Sequence, residues 1–510
     1  MSHVGIDRPG AVTNAVAADG APARKADHIR INLEADVAAK GVRSGFEEYR
    51  FLHNGLPEID LAEVDTATTV LGRTLAVPLL ISCMTGGTEE ARRINRNLAL
   101  VAQDLGLALG LGSGRVLLEH PELIDSFSVR PLAPDVLLFA NLGAVQLNCG
   151  YDADDCRRLV ELLDADALVL HLNALQEAVQ PGGDSNFSGL LAKIERLCSV
   201  LAVPVVVKEV GWGLAEDTVR SLFEAGVSAV DVAGAGGTSW SEVERHRIKD
   251  PIRARIAGLF AGWGIPTADS LRAGRAAAPT ALIFASGGIR DGIDAAKAIA
   301  LGADLVGIAG PFLRAAAQSE TAVYDFASEL IEGLRVCMFA VGARTVADLR
   351  FSPRLQRDGE PPPARPIVGR LHYKTLRAGS FIDITDDVAR VLASSGVREG
   401  AVHVYSSHTT AAIRVNENEE LLLGDFTRLL DRLVPAGNGL YEHDDLSRRH
   451  DTPPDEPING HAHCRHLLLS SSELVPVSEG RLALGRYQRI FLIELCSSRE
   501  RDVVVSVLRN

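Results

Sequence analysis

Cysteine, long apolar runs and positive charge are all scarce in this chain, and each shortage excludes something. The seven cysteines among 510 residues are scattered, with no CxxC pair. An odd number in a large chain points to reduced thiols in a cytoplasmic protein. Apolar runs such as Val203–Val207 are short and bounded by turn residues. None approaches the roughly 18 residues of a membrane span. The net charge of -14 and pI near 5.5 argue against general nucleic-acid binding. An anionic ligand would need a local cluster of basic groups and backbone N–H donors. Residues 1–23 are rich in Ala, Gly and Pro and lack a charged segment followed by an apolar one. They read as a flexible tail rather than a signal peptide.

Hydrophobic residues make up 46% of the chain. That is ample for a large core, and the length favours two domains. From about residue 79 to 313, short apolar runs alternate with helical stretches such as Glu89–Leu105 and Ala215–Ala225. The expected strands are Pro78–Ser82, Gly106–Gly110, Val136–Ala140, Ala167–Leu172, Pro204–Lys208, Ala229–Ala233, Ala281–Ser286 and Leu305–Ala309. Alternation of this kind predicts an α/β fold whose parallel strands are buried on both faces. Eight repeats predict a (β/α)8 TIM barrel. An open doubly wound sheet is the rival.

Barrel enzymes work at the C-terminal strand ends, so the residues after each strand matter most. They include Cys83-Met84-Thr85-Gly86-Gly87, Ser113-Gly114-Arg115, Asn141, His171-Leu172-Asn173, Gln176-Glu177, Lys208-Glu209, Gly236-Gly237-Thr238, Gly287-Gly288-Ile289-Arg290 and Ala309-Gly310. Any one could be ordinary turn chemistry. All eight strand exits together point to a site. The Gly287-Gly288 and Ala309-Gly310 pairs suit a phosphate held by backbone N–H groups and a helix start near Asp291. Lys208 closes an apolar strand, where an unpaired cation is costly. Glu177 suits a hard cation shared with ligand phosphates; alone, it would as readily be a solvated loop carboxylate. Arg24-Lys25-Ala26-Asp27-His28 forms a basic cluster before the barrel, and charge alone does not assign it a role.

Over residues 24–350, this ordered set of segments resembles type 2 isopentenyl diphosphate isomerase. The resemblance implies FMN in the barrel mouth, contacted by Met84, Thr85, Ser113, Asn141, Lys208 and Thr238. Gly288, Ile289, Arg290, Ala309 and Gly310 would hold its phosphate. Arg24, Lys25, His28, Arg115, His171, Asn173 and Gln176 would meet an isoprenoid diphosphate. Mg2+ would sit on Glu177, with Gln176, His171 and Asn173 nearest the chemistry. NADPH would keep the flavin reduced, and the assembly would be a tetramer or octamer. Gly114 departs from the pattern, where a larger side chain is expected. The physics of the transfer is consistent. An unactivated alkene is a weak base, so moving its double bond calls for an acid beside an electron-rich face, which reduced flavin offers.

Residues 351–370 contain Glu360-Pro361-Pro362-Pro363-Ala364-Arg365-Pro366 and read as a stiff connector. Residues 371–510 then read as a smaller α+β domain holding eight of the fourteen histidines. Expected strands are His372–Arg377, Ala401–Ser406, Leu467–Leu469, Gly480–Leu484 and Arg489–Leu495. The segments Ser406–Thr410, Val415–Glu419, Tyr441–Asp444 and Asn459–His463 resemble the YjbQ-type family, linked to thiamine-phosphate synthase activity. The resemblance covers about 371–506 and implies His408, His443 and His463 as ligands of a divalent metal such as zinc, with trimeric contacts. Cys464 and Tyr487 depart from it.

Two other functions fit parts of the pattern. A different FMN barrel, such as a hydroxy-acid oxidase, would need a His/Arg pair for a carboxylate. A flavin-binding sensor or scaffold would need no turnover at all.

Overall fold

A computed structural model describes residues 21–359, 367–437, 439–450 and 456–509. Most of the expected tail, residues 1–20, lies outside them, as does the proline-rich stretch 360–366. The chain divides into two compact units between Glu360 and Pro361. Among the described residues, no helix is long and apolar enough to cross a membrane.

The first unit is a closed parallel barrel, not an open sheet. Its strands are β1 Leu79–Ile81, β2 Ala108–Gly110, β3 Leu138–Gly143, β4 Ala167–Leu172, β5 Val205–Glu209, β6 Ala229–Asp231, β7 Leu282–Ser286 and β8 Leu305–Ile308. Each pairs with the next in the chain, and β8 returns to β1. All eight fall within a few residues of the expected positions.

Successive side chains on a strand point to opposite faces. Outward residues such as Leu79, Ile81, Leu168 and Leu170 pack under the helices. Inward residues Leu80, Ala108, Phe139, Val169, Val206, Ala229, Phe284 and Leu305 form an apolar plug. Two places further on, the inward positions change character. They are Ser82, Gly110, Asn141, His171, Lys208, Asp231, Ser286 and Gly307. The barrel is therefore oily below, while at its mouth six strands present a polar side chain inward and the other two a glycine.

Ahead of the barrel, the helix Ala21–Glu34 carries Arg24, Lys25 and His28. It begins inside the segment read as tail. After the barrel, Leu355–Arg357 pairs antiparallel with Tyr49–Phe51, and Arg357 bridges Glu48 at 2.6 Å. The connector is thus shorter than residues 351–370. The pairing buries Gln356, which no local composition signals.

The second unit is an α+β fold of antiparallel sheets. Five strands run in the order Ile367–Lys374, Glu500–Arg509, Gly400–Ser406, Ser472–Ser478, Arg481–Leu482. Three more run Phe381–Asp383, Gln488–Glu494, Ala411–Glu417. Ile384, Val388, Val402, Ile413, Val503 and Val505 share its main core. Leu467–Leu469 is not a strand. Leu467 and Leu468 close the helix Gly460–Leu468, which buries Ala462 and Arg465 at helical spacing.

Candidate active site

Every barrel-unit residue expected to meet FMN, diphosphate or Mg2+ lines one cavity of about 690 Å³ at the barrel mouth, whereas Gly86, Gly87, Gly114, Glu209 and Gly236 lie outside its lining. Glycine shapes its phosphate-holding wall. A Cβ on Gly237 would lie 2.6 Å from the Gly288 nitrogen, and one on Gly287 would lie 2.2 Å from the Gly234 oxygen. The loops after β6 and β7 therefore touch backbone to backbone, and Gly288 adopts φ 74°. The helix Gly292–Ala300 follows, with Asp291 capping it by accepting from Ile293 and Asp294 N–H. Ala309 precedes a second helix, Gly310–Gln318. Two helix starts and a glycine cradle suit a phosphate group, and the polar inward layer beneath supplies donors for a ring system. This arrangement fits FMN.

The opposite wall carries basic groups. Lys25 Nζ donates to the Ser113 carbonyl at 2.8 Å and lies 5.1 Å from the Phe127 ring centre. Burial first, and then Arg24, lower its pKa to about 7. Arg115 is braced by Glu119 at 2.9 Å and Asp184 at 3.1 Å. Gly114 is explained here, since a Cβ would lie 2.4 Å from Leu159 Cδ1. A neighbouring leucine fills the space that a larger side chain would take.

His171 shares a 2.9 Å hydrogen bond with Asn141. Burial, reinforced by Lys208 and Lys25, drives its pKa down to about 3, so the ring is neutral. Asn173 donates to Glu177 at 2.8 Å. The other Glu177 oxygen accepts from the Gln180 amide and from Asp184 N–H at 2.7 Å. Three donors leave one of the carboxylate's roughly four acceptor positions open toward a cation. Mg2+ needs only one or two carboxylates when phosphates complete its shell, so the residues fit.

One residue escaped the sequence reading. Glu244 has a fully buried carboxylate and accepts from Gln176 and from His28, each at 3.1 Å, and from Arg247 at 2.9 Å. Burial opposes its charge, but these partners hold its pKa down to about 2. The only available signal was its i,i+3 spacing to Arg247.

The family model described as FMN-dependent dehydrogenase matches residues 171–355. A Nostoc protein named isopentenyl-diphosphate delta-isomerase is 53% identical over 334 residues, covering 66% of this chain and 95% of the relative. This chain belongs to the isopentenyl-diphosphate delta-isomerase family. The Synechocystis protein of the same name is 52% identical over 339 residues, covering 66% of this chain and 97% of the relative. The isomerase relatives disfavour the oxidase alternative. The model described as UPF0047 protein YjbQ-like matches residues 369–510, so the isomerase barrel is fused to a YjbQ-like domain. That domain is also similar to a solved YbjQ-like protein of unknown function from Sulfolobus solfataricus. The two are 30% identical, covering 29% of this chain and 99% of that one, with a TM-score of 0.26.

In the YjbQ-like unit, the expected metal triad does not converge. His443 and His463 lie 4.6 Å apart, ring centre to ring centre. His408 is elsewhere, its Nε2 accepting from Asp502 N–H at 2.9 Å. Among the described residues, no three His, Cys, Asp or Glu side chains are grouped to hold a metal. His408 follows the strand Gly400–Ser406, whereas His443 and His463 lie on two short helices.

Proposed function

We propose that the barrel interconverts isopentenyl and dimethylallyl diphosphate, adding a proton to one carbon and removing one from another. The observation that carries this reading is the division of one cavity into a glycine-built phosphate cradle and a separate basic wall. Two phosphorylated groups can then sit face to face. FMN, when bound and reduced, supplies a proton donor and an electron-rich ring. Met84, Thr85, Ser113, Asn141, Lys208 and Thr238 would hold its ring. Gly288, Ile289, Arg290, Ala309 and Gly310 would hold its phosphate.

Arg24, Lys25, His28 and Arg115 would anchor the substrate's diphosphate, and Glu177 would hold Mg2+, which would supply charge neutralisation for that group. Neutral His171 and Asn173 orient the same group without adding charge. Gln176, fixed by Glu244, would face the allylic carbons and position the proton to be moved. Anchoring a charged head spends binding energy on holding a small apolar tail in register. NADPH is the proposed reductant, the cytoplasm the proposed location, and a homo-oligomer the proposed assembly. Trimeric contacts would come through the YjbQ-like unit.

The test is anaerobic assay of the purified yellow protein with NADPH, Mg2+ and isopentenyl diphosphate. Formation of the dimethylallyl isomer supports the reading. A protein that holds FMN and yields no isomer overturns it.

A further inference from the structure

Among the eight inward positions where the barrel turns polar, Lys208 is the one cationic side chain and Asp231 the one acidic one. They are direct partners across β5 and β6. Paired residues on neighbouring strands project to the same face, here the barrel interior. Lys208 lines the cavity, whereas Asp231 is 1% exposed beneath it.

One Asp231 oxygen accepts from the Ser286 hydroxyl at 2.8 Å and from Ala233 N–H at 3.1 Å. The other accepts from the same hydroxyl at 3.0 Å, and the Ser286 backbone N–H also favours the carboxylate. Burial pushes the acid's pKa up, and Lys208 is the largest influence opposing that rise. A carboxylate so deeply buried relies on a nearby cation to stay ionised. Asp231 also holds Ala233, a cavity-lining residue with φ 37°. That conformation is uncommon for a residue with a Cβ.

We propose that Asp231 is a positioning residue that balances the charge of Lys208 and thereby sets the electron affinity of the flavin bound above them. The proposal rests on the FMN site described above. Reduced flavin is richer in electrons than oxidised flavin, so a bare lysine beneath it would favour reduction. A carboxylate paired with that lysine offsets the effect. The chemistry proposed for this barrel begins from reduced flavin but transfers no net electrons, so the poise of the couple decides how much enzyme is active.

The experiment is the midpoint potential of FMN in the full-length holoprotein, read by anaerobic spectroelectrochemistry. Asp231→Asn removes the offsetting charge. It should shift the oxidised-to-reduced equilibrium about tenfold toward reduced flavin, a rise of about 30 mV for a two-electron couple. Ser286→Ala removes a donor that favours the ionised acid, and should raise the potential in the same direction by less. Asp231→Glu keeps the charge and should hold the potential near the wild-type value, a rescue not expected of a merely structural lesion. Should Asp231→Asn not fold, a rise in Ser286→Ala supports the proposal and a fall overturns it. FMN bound normally at an unchanged potential in Asp231→Asn or Ser286→Ala overturns the role of Asp231. Wild-type protein that refuses FMN overturns the cofactor site itself, which is a separate result.

Discussion

Gln176 donates its side-chain amide to the carboxylate of Glu244 at 3.1 Å, tying the helix after β4 to the helix after β6. The carboxylate is fully buried and also serves His28 and Arg247. Hydrogen bonds to charged groups contribute about 1.5–3 kcal/mol. Glu244→Gln should therefore lower kcat by about tenfold or more while FMN content stays at the wild-type level. Steady-state turnover beside the flavin absorbance of the same sample checks this. Unchanged kcat would show that Gln176 needs no such anchor.

Lys25 gives a pH dependence with a definite sign. Its pKa, lowered to about 7 by burial and Arg24, means the amine is charged below neutrality and loses its charge as pH rises. Affinity for an inert diphosphate analogue should fall between pH 7 and 9. In Lys25→Arg, whose guanidinium stays charged throughout, the fall should disappear. Titration calorimetry at three pH values measures it.

Glu177 is the candidate Mg2+ carboxylate. Glu177→Gln should raise the Mg2+ concentration for half-maximal activity about tenfold or more and leave flavin binding intact. A metal titration with unaltered midpoint would remove Glu177 from the metal site.

Gly288 tests the phosphate cradle. An added Cβ would lie 2.8 Å from the Gly236 oxygen, at a backbone φ of 74°. Gly288→Ala should release FMN on gel filtration, leaving a folded, colourless protein by circular dichroism. Full retention of the pigment would place the phosphate elsewhere.

In the YjbQ-like unit, Glu494 and Arg501 form a buried pair at 2.6 Å, 0% and 3% exposed. Arg501 also donates to Thr410 at 3.0 Å. Removing one partner of such a pair costs about 3–5 kcal/mol. Glu494→Ala should lower one calorimetric transition and leave flavin release, a report on the barrel, at its wild-type temperature. A joint shift would mean that the units unfold together.

The barrel was legible because its strands are apolar on both faces, so each appears as a short block such as Val205–Val207. The mouth was legible because chemistry sits at the exit of every block. Tertiary pairing hid the rest. Glu500–Arg509 opens with three charged residues, and its alternation of buried Val503, Val505 and Val507 with half-buried neighbours reads weakly as a strand. Leu467 and Leu468 resemble a strand locally, but Ala462 and Arg465 turn that segment into a helix. Glu244 looks like one more surface acid until the N-terminal helix brings His28 onto it.

The helix Ala21–Glu34 has a practical consequence for handling the protein. Its first turns deliver Arg24 and Lys25 to the cavity, so bulk fused just upstream, or proteolytic trimming past that point, would damage the proposed grip on diphosphate first. Such a preparation would keep its colour and look sound on the bench, yet turn over slowly. Purification handles are better placed on the other terminus.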